Sequence, residues 1–240
     1  MQHRFFYNGI LKNKKKIIIS KKKIHHFMNL RIKKGEKIIL FNGLGGEYIA
    51  FIIEINKKKI YIKICDFINK SIELPYKFKL IQAIVKKSKM NWIIEKSTEL
   101  GVYCIQLLKT KYCNLHYNKK KIKKKIINWE NIIKSSSEQC GRNTLMKIFS
   151  IKKFSFFLKS KKKKILFSPN SNFSILNWAK NNIPQDINFL IGPEGGFSKK
   201  EENFAKNNNV EILSLGPRIL RTETAGITVV NILKSIWNII

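Results

Sequence analysis

The groups best suited to chemistry concentrate in residues 187–226, INFLIGPEGGFSKKEENFAKNNNVEILSLGPRILRTETAG. Two apolar runs there, INFLI and EILSL, each stop at a Gly-Pro pair, Gly192-Pro193 and Gly216-Pro217. Proline lacks the N–H that a strand ladder needs, and glycine lets backbone turn sharply or approach a ligand closely. Two such loops at the ends of two buried strands predict a pocket walled by backbone N–H and C=O groups. Around it stand Glu194 and Glu223, carboxylates able to accept a proton, and Arg218 and Arg221, whose guanidiniums grip oxygen anions at two points. A separate constellation, SSSEQCGRN at 135–143, sets the amide of Gln139 near the guanidinium of Arg142.

Each feature also has a plainer reading. A tight turn accounts for one glycine of GPEGG, though not for all three. Arg218 and Arg221 could face solvent at a capped helix start, with Thr222, Glu223 and Thr224 as the cap. Arg142 could be an exposed residue after a helix end. The first loop carries more, because Ser198 followed by Glu201 has capping-box spacing. Strand, glycine turn and capped helix is the arrangement that presents N–H groups to a ligand. The Walker pattern is absent, which argues against a nucleotide triphosphate site.

A net charge of +33 points to phosphate backbones as partner. The same excess follows from an A/T-rich genome, since Lys, Ile, Asn and Phe have A/T-rich codons, and the balance alone does not decide. Against that background the five arginines, at 4, 31, 142, 218 and 221, mark positions where lysine would not serve. Cys65, Cys104, Cys113 and Cys140 show no CxxC spacing, so the expectation is reduced thiols, no metal site and a cytoplasmic protein. No apolar run approaches the roughly 20 residues that span a bilayer.

The elements that position these groups fall into two parts. Residues 1–74 read as short strands, KKIIIS, EKIILFNG, EYIAFIIEI and KIYIKICDF, with a hairpin at Asn42-Gly43-Leu44-Gly45-Gly46 and a helical piece at 24–32. Such strands suggest a small barrel. From Pro75 to 240, strand and helix alternate, which predicts an α/β sheet. Its strands are KFKLIQAIV, CIQLL, KILFS, INFLI and EILSL. Its helices begin near Met90, at KKKIKKK, at ILNWAK, after Ser198 and near Thr222.

At this point the residues resemble the RsmE family of SPOUT-class methyltransferases over nearly the whole chain. HHFMNLRIKKGEKIILFNG, MNWIIEKSTELGV, SEQCGRN, LIGPEGGFSKKE and LGPRILRTETA are similar to the family's segments, the last two in combination being the most specific. Met146 departs from them, standing where the family usually carries proline. The resemblance implies a PUA-like barrel over 1–74 and a C-terminal α/β domain with a deep trefoil knot over 75–240. It implies an S-adenosylmethionine-dependent methylation of N3 of a uridine in bacterial small-subunit (16S) ribosomal RNA by a homodimer. Cofactor contacts are expected from Leu190, Ile191, Gly192, Pro193, Glu194, Gly195 and Gly196 in the first loop. Leu215, Gly216, Ile219, Leu220, Arg221, Thr222, Thr224 and Ala225 supply those of the second. Arg142, Arg221 and Glu223 are the catalytic candidates, and Arg31, Gln139, Arg142 and Arg218 the RNA contacts. Two other readings stay open: a SPOUT enzyme acting on another base, and a basic RNA-binding protein with a vestigial site.

Overall fold

β-branched and aromatic runs of the N-terminal part form strands because alternate side chains can be buried on one face. In a computed structural model describing residues 2–20, 31–56, 59–113, 119–158 and 163–239, they build one sheet. Its strands are β1 (Arg4–Phe6), β2 (Lys16–Ser20), β3 (Lys37–Phe41), β4 (Glu47–Ile55) and β5 (Lys59–Ile68), in the order β1-β3-β4-β5-β2. β1 runs parallel to β3 and the remaining pairs are antiparallel. Inward residues such as Phe5, Ile38, Leu40, Ile52, Ile60, Ile62 and Ile64 make its core. The predicted hairpin joins β3 to β4 through Gly43, Gly45 and Gly46, all at positive φ. At Gly46 any Cβ would run into the Phe67 ring. The predicted helical piece at 24–32 lies outside the described residues except for Arg31 and Ile32.

This compact unit contains Met1–Glu73 and also Lys134–Leu145, so a single boundary at residue 75 does not describe it. The inserted segment is held by a buried polar cluster. Arg4 Nη1 donates to Glu47 Oε2 at 2.5 Å, and its Nη2 donates to the Gly141 carbonyl and to Asn143 Oδ1. Asn143 Nδ2 donates in turn to Glu47 and to the Lys70 carbonyl, while the Phe6 amide donates to Glu138 Oε1. Burial pushes the Glu47 carboxyl up, but the hydrogen bond and charge of Arg4, with Asn143 and Lys70, outweigh it and hold its pKa below the ordinary value of 4.5.

The second unit contains Leu74–Ile133 and Met146–Ile240. Its strands are β6 (Phe78–Ala83), β7 (Cys104–Lys109), β8 (Lys147–Lys153), β9 (Lys164–Phe167), β10 (Ile187–Ile191) and β11 (Glu211–Leu213). They form one sheet in the order β11-β9-β10-β6-β7-β8, and every pairing in it is parallel. Parallel neighbours require crossover connections. The helices are α1 (Lys87–Glu99), α2 (Lys119–Cys140, whose residues from Lys134 on belong to the first unit), α3 (Phe154–Leu158), α4 (Ile175–Lys180), α5 (Lys199–Lys206) and α6 (Thr222–Ile236). Among the described residues the expected strands and helices differ from the observed ones only at their ends, while β1, β8 and α3 had no counterpart in the sequence reading. β8 alternates weakly because it is an edge strand carrying lysines on exposed positions. No helix among the described residues is long and apolar enough to cross a membrane.

The chain leaves β6 outward through β7 and β8, then returns to the other side of β6 through β9, β10 and β11. The order therefore reverses between β6 and β10, where the carboxyl ends of parallel strands open a crevice. Thr222, at the start of α6, closes the back of that crevice. Its buried hydroxyl donates to the Gly192 carbonyl at 2.6 Å and accepts from Gln82 Nε2 at 3.0 Å, joining the ends of β6 and β10 to α6.

Two stability measurements check these arrangements. Glu47→Ala strands Arg4 and is expected to lower unfolding free energy in urea by about 3 kcal/mol near neutral pH. Because the folded pKa of Glu47 is depressed, the stabilisation exists above the unfolded pKa and is lost as pH falls through the folded one. The gap between wild type and variant should therefore narrow below about pH 4.5; a gap constant with pH would refute the role of ionisation. Thr222→Val should cost about 2 kcal/mol by taking the hydroxyl partner from the Gly192 carbonyl and from Gln82 Nε2, which keeps only the Ala83 carbonyl, with Thr222→Ser retaining most of the stability. Loss in Thr222→Ser with none in Thr222→Val would mean the methyl, not the hydroxyl, matters.

Candidate functional site

The carboxyl ends of three neighbouring strands surround a cavity of about 420 Å³. β9 contributes Phe167 and the following Ser168, Pro169 and Asn170; β10 contributes Ile191 and the turn Gly192–Phe197; the segment after β11 contributes Leu215 and Gly216. Arg218–Thr222 and Ala225 complete that side, and Lys89 of α1 reaches in opposite. The volume lies within the range of small-molecule sites, about 300–1,000 Å³.

The first loop is shaped as its sequence requires. The Gly196 amide donates to the Pro193 carbonyl at 2.9 Å, closing a turn in which Gly196 has φ +68°. A Cβ on Gly192 would sit 3.1 Å from Gly196 backbone, so side chains are excluded where the turn folds back on itself. Ser198 then caps α5: its hydroxyl accepts from the Glu201 amide, and the Glu201 carboxylate accepts from the Ser198 amide. In the second loop Gly216 has φ +109°, a conformation other residues avoid, and a Cβ there would meet no protein atom within 4 Å. Gly216 is among the residues that line the cavity.

Most residues expected at the cofactor loops therefore converge: Ile191 to Gly196, Leu215, Gly216, Ile219 to Thr222 and Ala225 all line one cavity, as does Arg218. Leu190 does not, being wholly buried within β10, and neither does Thr224. The cap expected from Thr222 to Thr224 is corrected: the N-cap is Arg221, without a side-chain cap bond, because the Thr222 hydroxyl is spent on Gly192. Arg218 and Arg221 are both exposed.

Lys89, which the sequence did not single out, bridges the two loops. Its Nζ lies 3.0 Å from Glu194 Oε1 and 3.5 Å from Glu223 Oε2. The Glu223 contact is the longer and weaker of the two, and the buried Glu223 Oε2 has no well-aligned hydrogen bond among the described residues. The Glu194 hydrogen bond, outweighing burial and helped by both carboxylate charges, raises the Lys89 pKa. Burial pushes Glu194 up, but Lys89, the Glu194 backbone amide and the charge of Lys86 win and hold its carboxyl below the usual range. A depressed carboxylate is a poor proton acceptor, so Glu194 tethers its loop rather than acting as base. Glu223 lies just outside the lining, its side chain mostly buried. Ser168, Pro169, Asn170 and Glu202 were also missed; their one signal was the abrupt end of KILFS at Ser168-Pro169.

The remaining candidates belong to the first unit. Arg142, expected to orient the substrate, is 3% exposed, and its Nε and Nη2 donate to Glu73 at 2.9 and 2.5 Å. Its guanidinium is thus committed to a carboxylate and holds the inserted segment. Arg31 and Gln139 are exposed.

A cavity of this size, walled by backbone, apolar and a few charged groups, can hold a small-molecule ligand. Comparison with known proteins agrees with that geometry. Residues 72–234 match the RNA methyltransferase domain family, and residues 19–65 match the RNA methyltransferase PUA domain. Ribosomal RNA small subunit methyltransferase E of Buchnera aphidicola subsp. Schizaphis graminum is 38% identical over 238 residues, covering 96% of this chain and 95% of that protein. The Bacillus subtilis protein of the same name is 30% identical over 217 residues, covering 86% and 85%. A Legionella pneumophila structure in complex with the cofactor SAM superposes with a TM-score of 0.91 at 34% identity, covering 98% of each chain. Ribosomal RNA small subunit methyltransferase E from Neisseria gonorrhoeae, solved bound to S-adenosyl methionine, gives 0.88 at 28% identity, covering 99% and 98%. The chain belongs to the RsmE family of RNA methyltransferases.

Proposed function

We propose that the chain methylates N3 of a uridine in small-subunit ribosomal RNA, with S-adenosylmethionine as methyl donor. The observation that carries the reading is the single cavity where both Gly-Pro loops converge on the carboxyl ends of β9, β10 and β11, in a family whose solved relatives hold that cofactor. The residues fit it: Gly192, Gly196 and Gly216 leave backbone open to a ligand, Ile191, Leu215 and Leu220 give apolar walls, and no side chain fills the space in front of Gly216. When bound there, the sulfonium supplies an electrophilic methyl.

The chain's own residues do the rest. Uracil N3 is a weakly acidic imide nitrogen and must shed its proton before its lone pair can form the new N–C bond. Arg221 and Arg218, exposed at the cavity rim, stabilise the charge developing on the uracil oxygens and grip flanking phosphate. Glu223 is the proton acceptor assigned, since its buried Oε2 makes the longer of the two contacts to Lys89, 3.5 Å against 3.0 Å for Glu194. Lys89 and Glu194 fix the first loop against α1. Arg142 holds the inserted segment through Glu73, and Arg31 and Gln139 offer exposed contacts to RNA. The resemblance further supports a cytoplasmic homodimer with its active site near the subunit interface, and a trefoil knot made by the two loops and α6.

N3 methylation removes a Watson–Crick donor, so reverse transcription stops at the modified base. Purified protein with S-adenosylmethionine and unmethylated small subunits should create one new stop at a uridine, absent without cofactor; no stop at any uridine would refute the reading. Lys89→Met frees the first loop by removing one charge-assisted hydrogen bond and should weaken cofactor binding about tenfold. Unchanged affinity would show that the tether is ornamental.

A further inference from the structure

A second cavity, of about 700 Å³, adjoins the first and shares Ser168, Asn170 and Glu202 with it. Its walls are the segment after β9, α4 and the face of β11, all within the second unit. The lining is dominated by neutral amides and hydroxyls rather than charge. Asn172, Asn177 and Asn181 are exposed, and their side-chain amides make no hydrogen bond among the described residues. Of the carboxylates present, Glu211 is paired with Lys163 and Glu202 accepts from the Ser168 hydroxyl. Lys206 brings a positive charge to the same wall.

Two aromatic residues line this cavity. Trp178 is buried, and its indole Nε1 has no acceptor. Phe173 is 74% exposed, an unusual state for so large an apolar ring. Its backbone, by contrast, is firmly held: its amide donates to the Ser171 hydroxyl and its carbonyl accepts from the Ser214 amide at 2.7 Å. A rigidly mounted, exposed ring next to uncommitted amides and one lysine is the set of groups that reads an unpaired base. The ring stacks on its face, amides bond its edge, and the cation meets the adjoining phosphate. An isolated phosphate would want more cations than Lys206, and a protein partner would want a broader apolar patch.

We propose that this cavity is a base-reading subsite, taking an unpaired nucleobase of the RNA that flanks the nucleotide held at the first cavity. The proposal rests on the RNA-methylating reading for the identity of the strand, but its chemistry is that of single-stranded RNA in general. Placing a neighbouring base there would fix the register of the strand along the shared wall Ser168–Asn170, and so select which uridine reaches the cofactor site.

The test compares wild type with Phe173→Ala, Phe173→Trp and Asn177→Ala in three readouts: S-adenosylmethionine affinity, methylation of small-subunit ribosomal RNA, and fluorescence anisotropy with a short single-stranded oligoribonucleotide of mixed sequence. Phe173→Ala should raise the KM for RNA and the oligonucleotide Kd about tenfold, the usual worth of one stacked base. Asn177→Ala should do so by a smaller factor, and Phe173→Trp should restore wild-type values. kcat and cofactor affinity should not change, because the Phe173 side chain is exposed and does not line the first cavity. Unchanged RNA affinity in Phe173→Ala and Asn177→Ala overturns the subsite, as does a matching loss of cofactor affinity, which would make this cavity part of the cofactor site. Should wild type fail to methylate yet bind the oligonucleotide in a Phe173-dependent way, the methylation reading falls and the subsite stands.

Discussion

A parallel strand ends with backbone groups that its neighbours cannot pair, and the chain must leave it by a turn that satisfies those groups. Everything at this site follows from how three adjacent strand ends meet that constraint. The Gly192 carbonyl, at the end of β10, is answered by the Thr222 hydroxyl, itself held by Gln82 of β6. One side chain from the last helix thereby sets the positions of two strand ends and of its own helix start. With the rear of the crevice closed in this way, the glycines in front are free to shape a cavity instead of filling it.

The cavity is also fixed electrostatically across its mouth. Lys89 comes from the first turn of α1, Glu194 from the first loop and Glu223 from α6, so one ammonium spans three elements. The two carboxylates are not equivalent. Glu194, 3.0 Å from the ammonium, has its carboxyl held below the usual range and tethers its loop, whereas the inner oxygen of Glu223 stands farther off, at 3.5 Å.

Much of this was legible in the sequence because glycine and proline are required by local backbone geometry. GPEGG, the Ser198–Glu201 capping box and the run INFLI report on contacts within a few residues and appear where their spacing predicted, while EILSL, expected as a buried strand up to Gly216, pairs only from Glu211 to Leu213 and is half-buried. Residues whose role depends on distant partners were not legible. Lys89 is one lysine in a chain with 48 Lys and Arg, and its partners lie far along the sequence. Arg142 stood out correctly as a position where arginine is needed, yet the need comes from Glu73, 69 residues earlier. Thr222 looked like a helix cap because capping is local, while its actual acceptor is 30 residues away. β1 is three residues long and takes its extended form from pairing with β3, which no local pattern announces. The resemblance supplied the chemistry of the ligand, which backbone geometry alone leaves open.

The central claim is that the space in front of Gly216, between the two Gly-Pro loops, is where S-adenosylmethionine sits. Calorimetric titration of the cofactor into wild type and Gly216→Val tests it directly, since at φ +109° a valine strains the turn and projects into that space. The account predicts one site per chain in wild type and at least a tenfold loss of affinity in the variant, with an unchanged far-ultraviolet circular dichroism spectrum. Equal affinity in the two proteins would contradict it.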